Sequence, residues 1–505
     1  MHVFRRSSST LLALALAACR WGSKGTESVP AVDTPPDSGT DTPADTHTGE
    51  TADDTGTTPS GNVCPDGHAD FTLAGQPTPP AVVLISVDTV NRRFLGRNQE
   101  WDTTPNIDAF QEDAVVFENV LVTRGLSAPS IASLITGAYP RHHGLRDNDV
   151  YEPEVTTLLE RYQYAGFQTI AVSGNMCFLA EHGVDQYFCN WNGDDEVDNG
   201  TVESDEELVD AFLTAFAERD TSKPTFAWLH LMSPHDPYVI QPDYYAEFHP
   251  ETYEGDPDIL GQGPLAEVTL GTLAWTEADQ AYLDAVYASE MRGMDALVGR
   301  VLQALEDAGV YDESIVAIVS DHGEELAERD TLYMFHGCSI YNPVVAGTYA
   351  IRAPGRMASG EVIEGWVTSV DLAPTLLELS GLPQRNVPDG TSWVSSVYAC
   401  EDPGRPAYFE RGVETAGIIV DGMKYVADPN EGYTRCKPYT EDVPYPGKAE
   451  QLFDLSADPG ETRDLVDTQP RVAESLHLQL CDWLTGEAWQ DPDADTRNPL
   501  ILACQ

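Results

Sequence analysis

The sequence predicts an α/β protein with a central, mostly parallel sheet and a smaller α+β portion at its C-terminal end. Two stretches carry the first part. AVVLISVDTV (81–90) and SIVAIVSDHGEEL (314–326) are continuous apolar runs of the kind buried on both faces of a parallel sheet. Just before the second lies YASEMRGMDALVGRVLQALEDAG (287–309), whose Met291, Met294, Leu297, Val298, Val301, Leu302 and Leu305 follow helical spacing, most simply as core. The C-terminal portion is read from the strand-like GIIVDGMKYVA (417–427) and a final helix. Val472, Leu476, Leu480, Trp483 and Leu484 share one face of that helix, as packing residues do.

In chain order, residues 1–19 have Arg5 and Arg6, the apolar run LLALALAA and a terminal Cys19, the layout of an export signal too short to span a bilayer. Leu16-Ala17-Ala18-Cys19 looks like a bacterial lipobox, which makes Cys19 the expected lipidation site and the lipid the only membrane attachment. The expected location is therefore outside the cytoplasm, on a bacterial membrane facing the periplasm or the cell surface. Residues 20–62 are Thr, Asp, Pro and Gly with almost no large apolar side chain, so they cannot offset the entropy of ordering and read as a tether. A main domain over 63–400 and a subdomain over 401–505 follow.

The formal charge is −55, and the tether, with eight acidic and two basic residues, holds little of it. So acidic a folded part argues against nucleic acid or anionic lipid as a partner. Of nine cysteines, eight follow Cys19. In an exported chain an even number favours disulfides, and proximity alone suggests Cys177 with Cys189 and Cys481 with Cys504. Oligomeric state is not legible.

The chemistry centres on TRGLSAPSIASLITGAYPRHHG (123–144). Pro129 suits a first helical turn, so Ser127 is expected at a helix N-terminus, where unpaired N–H groups and the dipole favour an anion. Arg124, Arg141, His142, His143 and Arg146 gather positive charge around it, and Arg141 is the basic candidate for holding substrate. Asp88, Asp321 and His322 stand at the ends of the two predicted strands, where ligands collect in open α/β sheets. With Ser127 they form a donor set for one divalent cation. Carboxylates favour Ca²⁺ first, with Mg²⁺ or Mn²⁺ as alternatives, and imidazole is tolerable to Mn²⁺ or Zn²⁺.

These motifs resemble the sulfatases. Ser127, Pro129, Ser130, Thr136 and Gly137 match the frame of the sulfatase nucleophile motif, and Asp88 follows a strand as that family's first metal-binding Asp does. TTPNIDAFQEDAVVFENV (103–120), HLMSPHDPY (230–238), Asp321-His322-Gly323, FHG (335–337), APG (353–355), VDLAPTLLELSGLP (370–383) and EQLFDLSADPGETRDL (450–465) follow in the family's order. The resemblance implies an alkaline-phosphatase-like α/β sandwich, a cation held by Asp88, Asp321 and His322, and Ser127 as nucleophile. For the acid that protonates the departing oxygen, His235 and His336 are the candidates, with His230 third. Plainer readings compete: His230 as a core histidine, His235 as part of a Pro-bounded turn, His142 and His143 with at most one facing the site, and Glu324-Glu325 as the start of a solvated helix.

Three positions depart from the family pattern. Thr89 stands where a second Asp is common, and Ile131 replaces the Arg of the signal for conversion of Cys or Ser to formylglycine. Asn175, in Gly174-Asn175-Met176-Cys177, replaces the Lys of Gly-Lys-Trp-His and is the second substrate-binding candidate. A metal-dependent hydrolase of sulfate esters, with Ser127 converted or not, is the leading expectation. A phosphomonoesterase, phosphodiesterase or phosphoglycerol-type transferase using plain Ser127, and a catalytically silent binding protein, are the alternatives.

Overall fold

The computed structural model describes residues 73, 75–146, 155–175, 186–189, 202–249, 252–329, 332–399, 405–429, 433–434, 443–444, 448–486, 500–501 and 504, all within the unit Cys64–Gln505. The signal segment with Cys19, the tether and the expected Cys177–Cys189 pairing lie outside the described residues.

The main sheet has eight strands: β1 (Ala81–Val87), β2 (Val115–Leu121), β3 (Gln168–Ser173), β4 (Gln186–Cys189), β5 (Thr225–Leu231), β6 (Ile315–Ser320), and, after the short pair β7 (Glu325–Leu326) and β8 (Met334–Phe335), β9 (Ala346–Arg352) and β10 (Val362–Thr368). Their order is β10-β2-β9-β6-β1-β5-β3-β4. Only β9 runs antiparallel to its neighbours. β1 alternates between two apolar layers: Val83, Ile85 and Val87 pack with the helix Glu277–Asp307, while Val82 and Leu84 pack with the helix Ser127–Thr136. Burial on both faces is what a continuous Val/Ile/Leu run requires.

The long helix begins earlier than the apolar spacing predicts. Thr276 and Asp279 form a reciprocal capping box that adds the turns before Tyr287, and Met291 and Met294 are core as expected. The register of β1 with its neighbours positions the site. Val87 lies opposite Leu231 of β5 and Ser320 of β6, so Asp88 and Asp321 emerge side by side at adjacent strand ends.

C-terminal to this lies a four-stranded antiparallel sheet of β11 (Ala407–Arg411), β12 (Thr415–Val420), β13 (Met423–Ala427) and, after the small ribbon β14 (Tyr433–Thr434) and β15 (Val443–Pro444), β16 (Glu450–Asp454). The single strand read over 417–427 is a hairpin. Asp421 (φ 49°) and Gly422 (φ 75°) turn it, as two left-handed residues do in a tight two-residue loop. The final helix, Pro470–Thr485, packs Leu476, Leu480 and Leu484 onto this sheet, and Cys481 is bonded to Cys504 as expected. One expectation is overturned: Glu324 and Glu325 do not start a solvated helix. Both are buried, and Glu325 opens the strand pair β7–β8.

Candidate active site

Ser127 is the first residue of a ten-residue helix, every residue of which is buried, and Gly137 in the left-handed conformation (φ 70°) stops it. The Ser127 hydroxyl donates to Asp88 Oδ2 at 3.2 Å and lies 3.2 Å from His322 Nε2. His322 Nδ1 is 2.9 Å from the Gly323 carbonyl, which can only accept, so the ring proton sits on Nδ1 and Nε2 turns a lone pair toward the site. That nitrogen is 3.7 Å from Asp88 Oδ1 and 3.6 Å from Asp321 Oδ2. Gly323 is required here, because a Cβ would run into the Pro343 carbonyl.

Asp88 Oδ1 and Asp321 Oδ2 are fully buried carboxylate oxygens without a hydrogen-bond partner. Buried charge without compensation is costly, and a divalent cation between these oxygens and His322 Nε2 would supply it. The residues therefore fit the cation the family implies. Burial opposes its charge, yet His230, His235 and His322 hold the Asp88 carboxyl well below the usual range; burial and the Asp88 charge push Asp321 well above it. Burial and the neighbouring His336 bring His322 down to about 3.

His230 is placed behind Asp88. Its Nε2 is 3.5 Å from Asp88 Oδ2 and its Nδ1 is 2.9 Å from Ser86 Oγ, which also accepts from Trp228 Nε1 at 2.8 Å. Asp88, His230 and Asp321 offer ligand atoms within 4.8 Å of one another. Asn175 Nδ2 donates to Asp88 Oδ2 at 3.3 Å, so the residue in the lysine position does reach the centre.

A second group adjoins the first. The His336 and His322 rings are 4.7 Å apart, and the His235 and His336 rings 4.9 Å. His336 Nδ1 is 3.1 Å from Glu324 Oε1, and His235 Nδ1 donates to the Asp236 carbonyl at 2.5 Å. Against the effect of burial, Asp236, Asp88 and Glu324 push His235 up to about 9; burial and His235 bring His336 down to about 4. Burial drives Glu324 well above the usual carboxylate range, with Asp236 adding to it. The loop carrying His235 is pinned by Asp205, which accepts from the Met232 and Ser233 amides at 2.9 and 2.7 Å.

Other candidates fall elsewhere. Arg141 Nε bonds Glu410 at 2.6 Å and its guanidinium lies 4.3 Å over the Trp483 ring, which ties it to the C-terminal subdomain. His142 Nδ1 is 2.7 Å from Asp389, and His143 is bonded to Ser133 at 3.0 Å within the fold. Arg124 donates to the Gly337 carbonyl at 2.5 Å. Sequence reasoning missed Asp205, Asp236, Glu324 and Tyr287. Tyr287 donates to the Thr89 carbonyl at 2.6 Å and accepts from the Asn91 amide at 2.8 Å, holding Thr89 left-handed (φ 53°) beside Asp88. The available signal was Asp236 within HLMSPHDPY; Asp205 and Tyr287 lie in unremarkable helical stretches.

A serine at a helix N-terminus beside two strand-end aspartates, each with one buried oxygen that lacks a partner, is the arrangement that the sulfatase resemblance implies. Residues 80–382 match the sulfatase family profile, and the chain belongs to the sulfatase family. It is similar to an ulvan-active sulfatase of Formosa agariphila, 26% identical over 435 residues that cover 80% of each protein. A solved structure of a protein in complex with its substrate D-glucosamine-2-N,6-O-disulfate matches with a TM-score of 0.64 at 19% identity, covering 83% of this chain and all of that one. The phosphonate monoester hydrolase of Agrobacterium radiobacter matches with a TM-score of 0.61 at 20% identity, covering 79% of this chain and 94% of that one. These structures establish the alkaline-phosphatase-like fold.

Proposed function

We propose that this chain is a metal-dependent sulfatase that hydrolyses sulfate esters at Ser127. The observation that carries the reading is Ser127 Oγ at 3.2 Å from both Asp88 and His322, beside two buried carboxylate oxygens that lack partners. Asp88, Asp321 and His322 would hold a divalent cation, which lowers the pKa of a bound hydroxyl and offsets charge on the transferring group. The hydroxyl at position 127 gives its proton to water and attacks sulfur, the S–O ester bond breaks with its electron pair going to the alcohol oxygen, which takes a proton from His235, and water then releases sulfate from position 127. His230 and Asn175 orient Asp88. Conversion of Ser127 to formylglycine, an oxidation by a separate maturation enzyme, would supply an aldehyde hydrate that expels sulfate without attack on a serine sulfate.

Ile131 and Asn175 favour a second reading. Ile131 is fully buried in the apolar layer below the sheet, where it cannot serve as the Arg of the conversion signal, and Asn175 carries no charge for a sulfate. Plain Ser127 would then transfer a phosphoryl group. The test is the mass of the tryptic peptide Gly125–Arg141 from protein made in its native host. Loss of two hydrogens at Ser127 supports sulfate-ester hydrolysis; an intact serine, with faster turnover of phosphate than sulfate esters, favours the second reading.

The sequence supports export and lipid attachment at Cys19, with residues 20–62 as tether, 63–400 as catalytic domain and 401–505 as subdomain. Cys19→Ala should move the protein from the membrane to the soluble fraction; unchanged partition would rule the anchor out.

A further inference from the structure

We propose that Lys424 and Arg411 of the C-terminal subdomain are positioning residues for the reaction: they grip the backbone of 338–340 and so fix His336 against His235 and His322. The inference rests on the proposed reading of the site and gives the subdomain a share in catalysis.

His336 sits on a strained backbone. It lies between Phe335 (φ 72°) and Gly337 (φ 83°), both left-handed. For a side chain as bulky as phenylalanine that conformation is unfavourable, and it persists only where the surroundings over-determine it. The constraint comes from buried cations on neighbouring carbonyls. Arg124 donates to the Gly337 carbonyl at 2.5 Å, Arg411 Nη1 to that of Cys338 at 2.9 Å, and Lys424 Nζ to that of Ile340 at 2.7 Å. Arg124 precedes the helix of Ser127, whereas Arg411 ends β11 and Lys424 lies in β13.

Each subdomain cation is itself anchored. Arg411 Nη2 donates to Asp428 Oδ2 at 2.9 Å, and Lys424 Nζ pairs with Glu461 Oε1 at 2.7 Å. Glu461 Oε2 accepts from the Asn342 amide at 2.6 Å, so the same pair also holds the far end of the segment. All four side chains are buried. Ion pairs this deep contribute little net stability, because desolvation offsets the attraction, and apolar side chains of similar volume would pack as well. Apolar side chains could not grip carbonyls, and these carbonyls belong to the residues that follow His336. The His336 ring is 4.7 Å from His322 and 4.9 Å from His235. A shift of about 1 Å in a group so placed can cost on the order of 100-fold in rate.

The test uses the full chain with divalent cation supplied, an alkyl sulfate and 4-nitrophenyl sulfate. An alkoxide needs a proton as it leaves and nitrophenolate does not, so a displaced His336, and with it His235, slows the first ester and spares the second. The double variant Lys424→Met, Glu461→Gln removes both charges of one pair and should keep an unfolding temperature near that of the wild type. It should lower kcat for the alkyl sulfate by about 10- to 100-fold with KM little changed, and for 4-nitrophenyl sulfate by less than about 3-fold. Arg411→Lys, which keeps a charge beside Asp428 but not the fork that spans Asp428 and the Cys338 carbonyl, should show the same preference. Amide hydrogen exchange in 336–342 should quicken in both proteins. Equal losses on the two esters, or unchanged exchange, would overturn the proposal, and Arg411→Lys decides if the double variant fails to fold. No wild-type turnover of either ester, with exchange quickened in the variants, would keep the clamp and overturn the sulfate-ester reading.

Discussion

Glu324 and His336 form a buried carboxylate–imidazole contact of 3.1 Å that links the residue before β7 to the residue after β8. Glu324 is fully buried, and its carboxyl is driven well above the usual range by burial and Asp236. So costly a group persists where it orients a neighbour. Glu324→Gln should lower kcat/KM by about 10- to 100-fold with little change in unfolding temperature. A variant as active as the parent would show that the contact is only structural.

The Asp88 and Asp321 oxygens without partners make a second prediction. Asp88→Asn and Asp321→Asn should each weaken divalent-cation binding by about 100-fold or more, and chelation should abolish turnover in the wild type, with recovery on adding metal back. Turnover that ignores chelator would contradict the metal dependence.

Tyr287 secures the left-handed Thr89 through its carbonyl at 2.6 Å and the Asn91 amide at 2.8 Å. Tyr287→Phe leaves both buried groups unpaired, which costs about 1–3 kcal/mol of stability. Because Thr89 follows Asp88, cation affinity should fall several-fold as well. Loss of stability with unchanged affinity would limit Tyr287 to a structural role.

His143 offers a pH test away from the metal ligands. It is 4% exposed, accepts from the Leu145 amide at Nδ1 and contacts Ser133 through Nε2, so it is buried neutral. Burial, then nearby Arg146, brings it down to about 3 from an ordinary value of 6.5. The unfolded chain therefore binds the extra proton between those values, and stability present above pH 6.5 is lost as pH falls toward 3. The slope is about 1.4 kcal/mol per unit below 6.5. Denaturant unfolding at pH 7 and 5 should show about 2 kcal/mol more loss in the wild type than in His143→Asn. Equal losses would refute it.

The parallel sheet was legible because β1 and β6 are buried on both faces, which forces unbroken apolar runs, and because strand-end polar residues mark where ligands gather. Asp88, Asp321, His322 and Ser127 converge as their motifs imply. The residues around them were less legible. Glu324 reads as solvated because its neighbour is another glutamate, whereas its carboxylate meets His336, 12 residues downstream, and lies within reach of Asp236 and His235 of the loop after β5. Arg141 looked like a substrate ligand on local charge, but Glu410 and Trp483, far along the chain, hold it in the seam with the C-terminal subdomain. Asp205 and Tyr287 act through backbone groups, which leave no local pattern in a sequence.

The most direct measurement compares kcat/KM for a sulfate monoester in the wild type and in Ser127→Ala, with divalent cation supplied to both. The account predicts turnover in the wild type and a fall on the order of 10³-fold or more in the variant, with cation binding largely retained. Equal turnover in the two proteins, or none in the metal-loaded wild type, would contradict it.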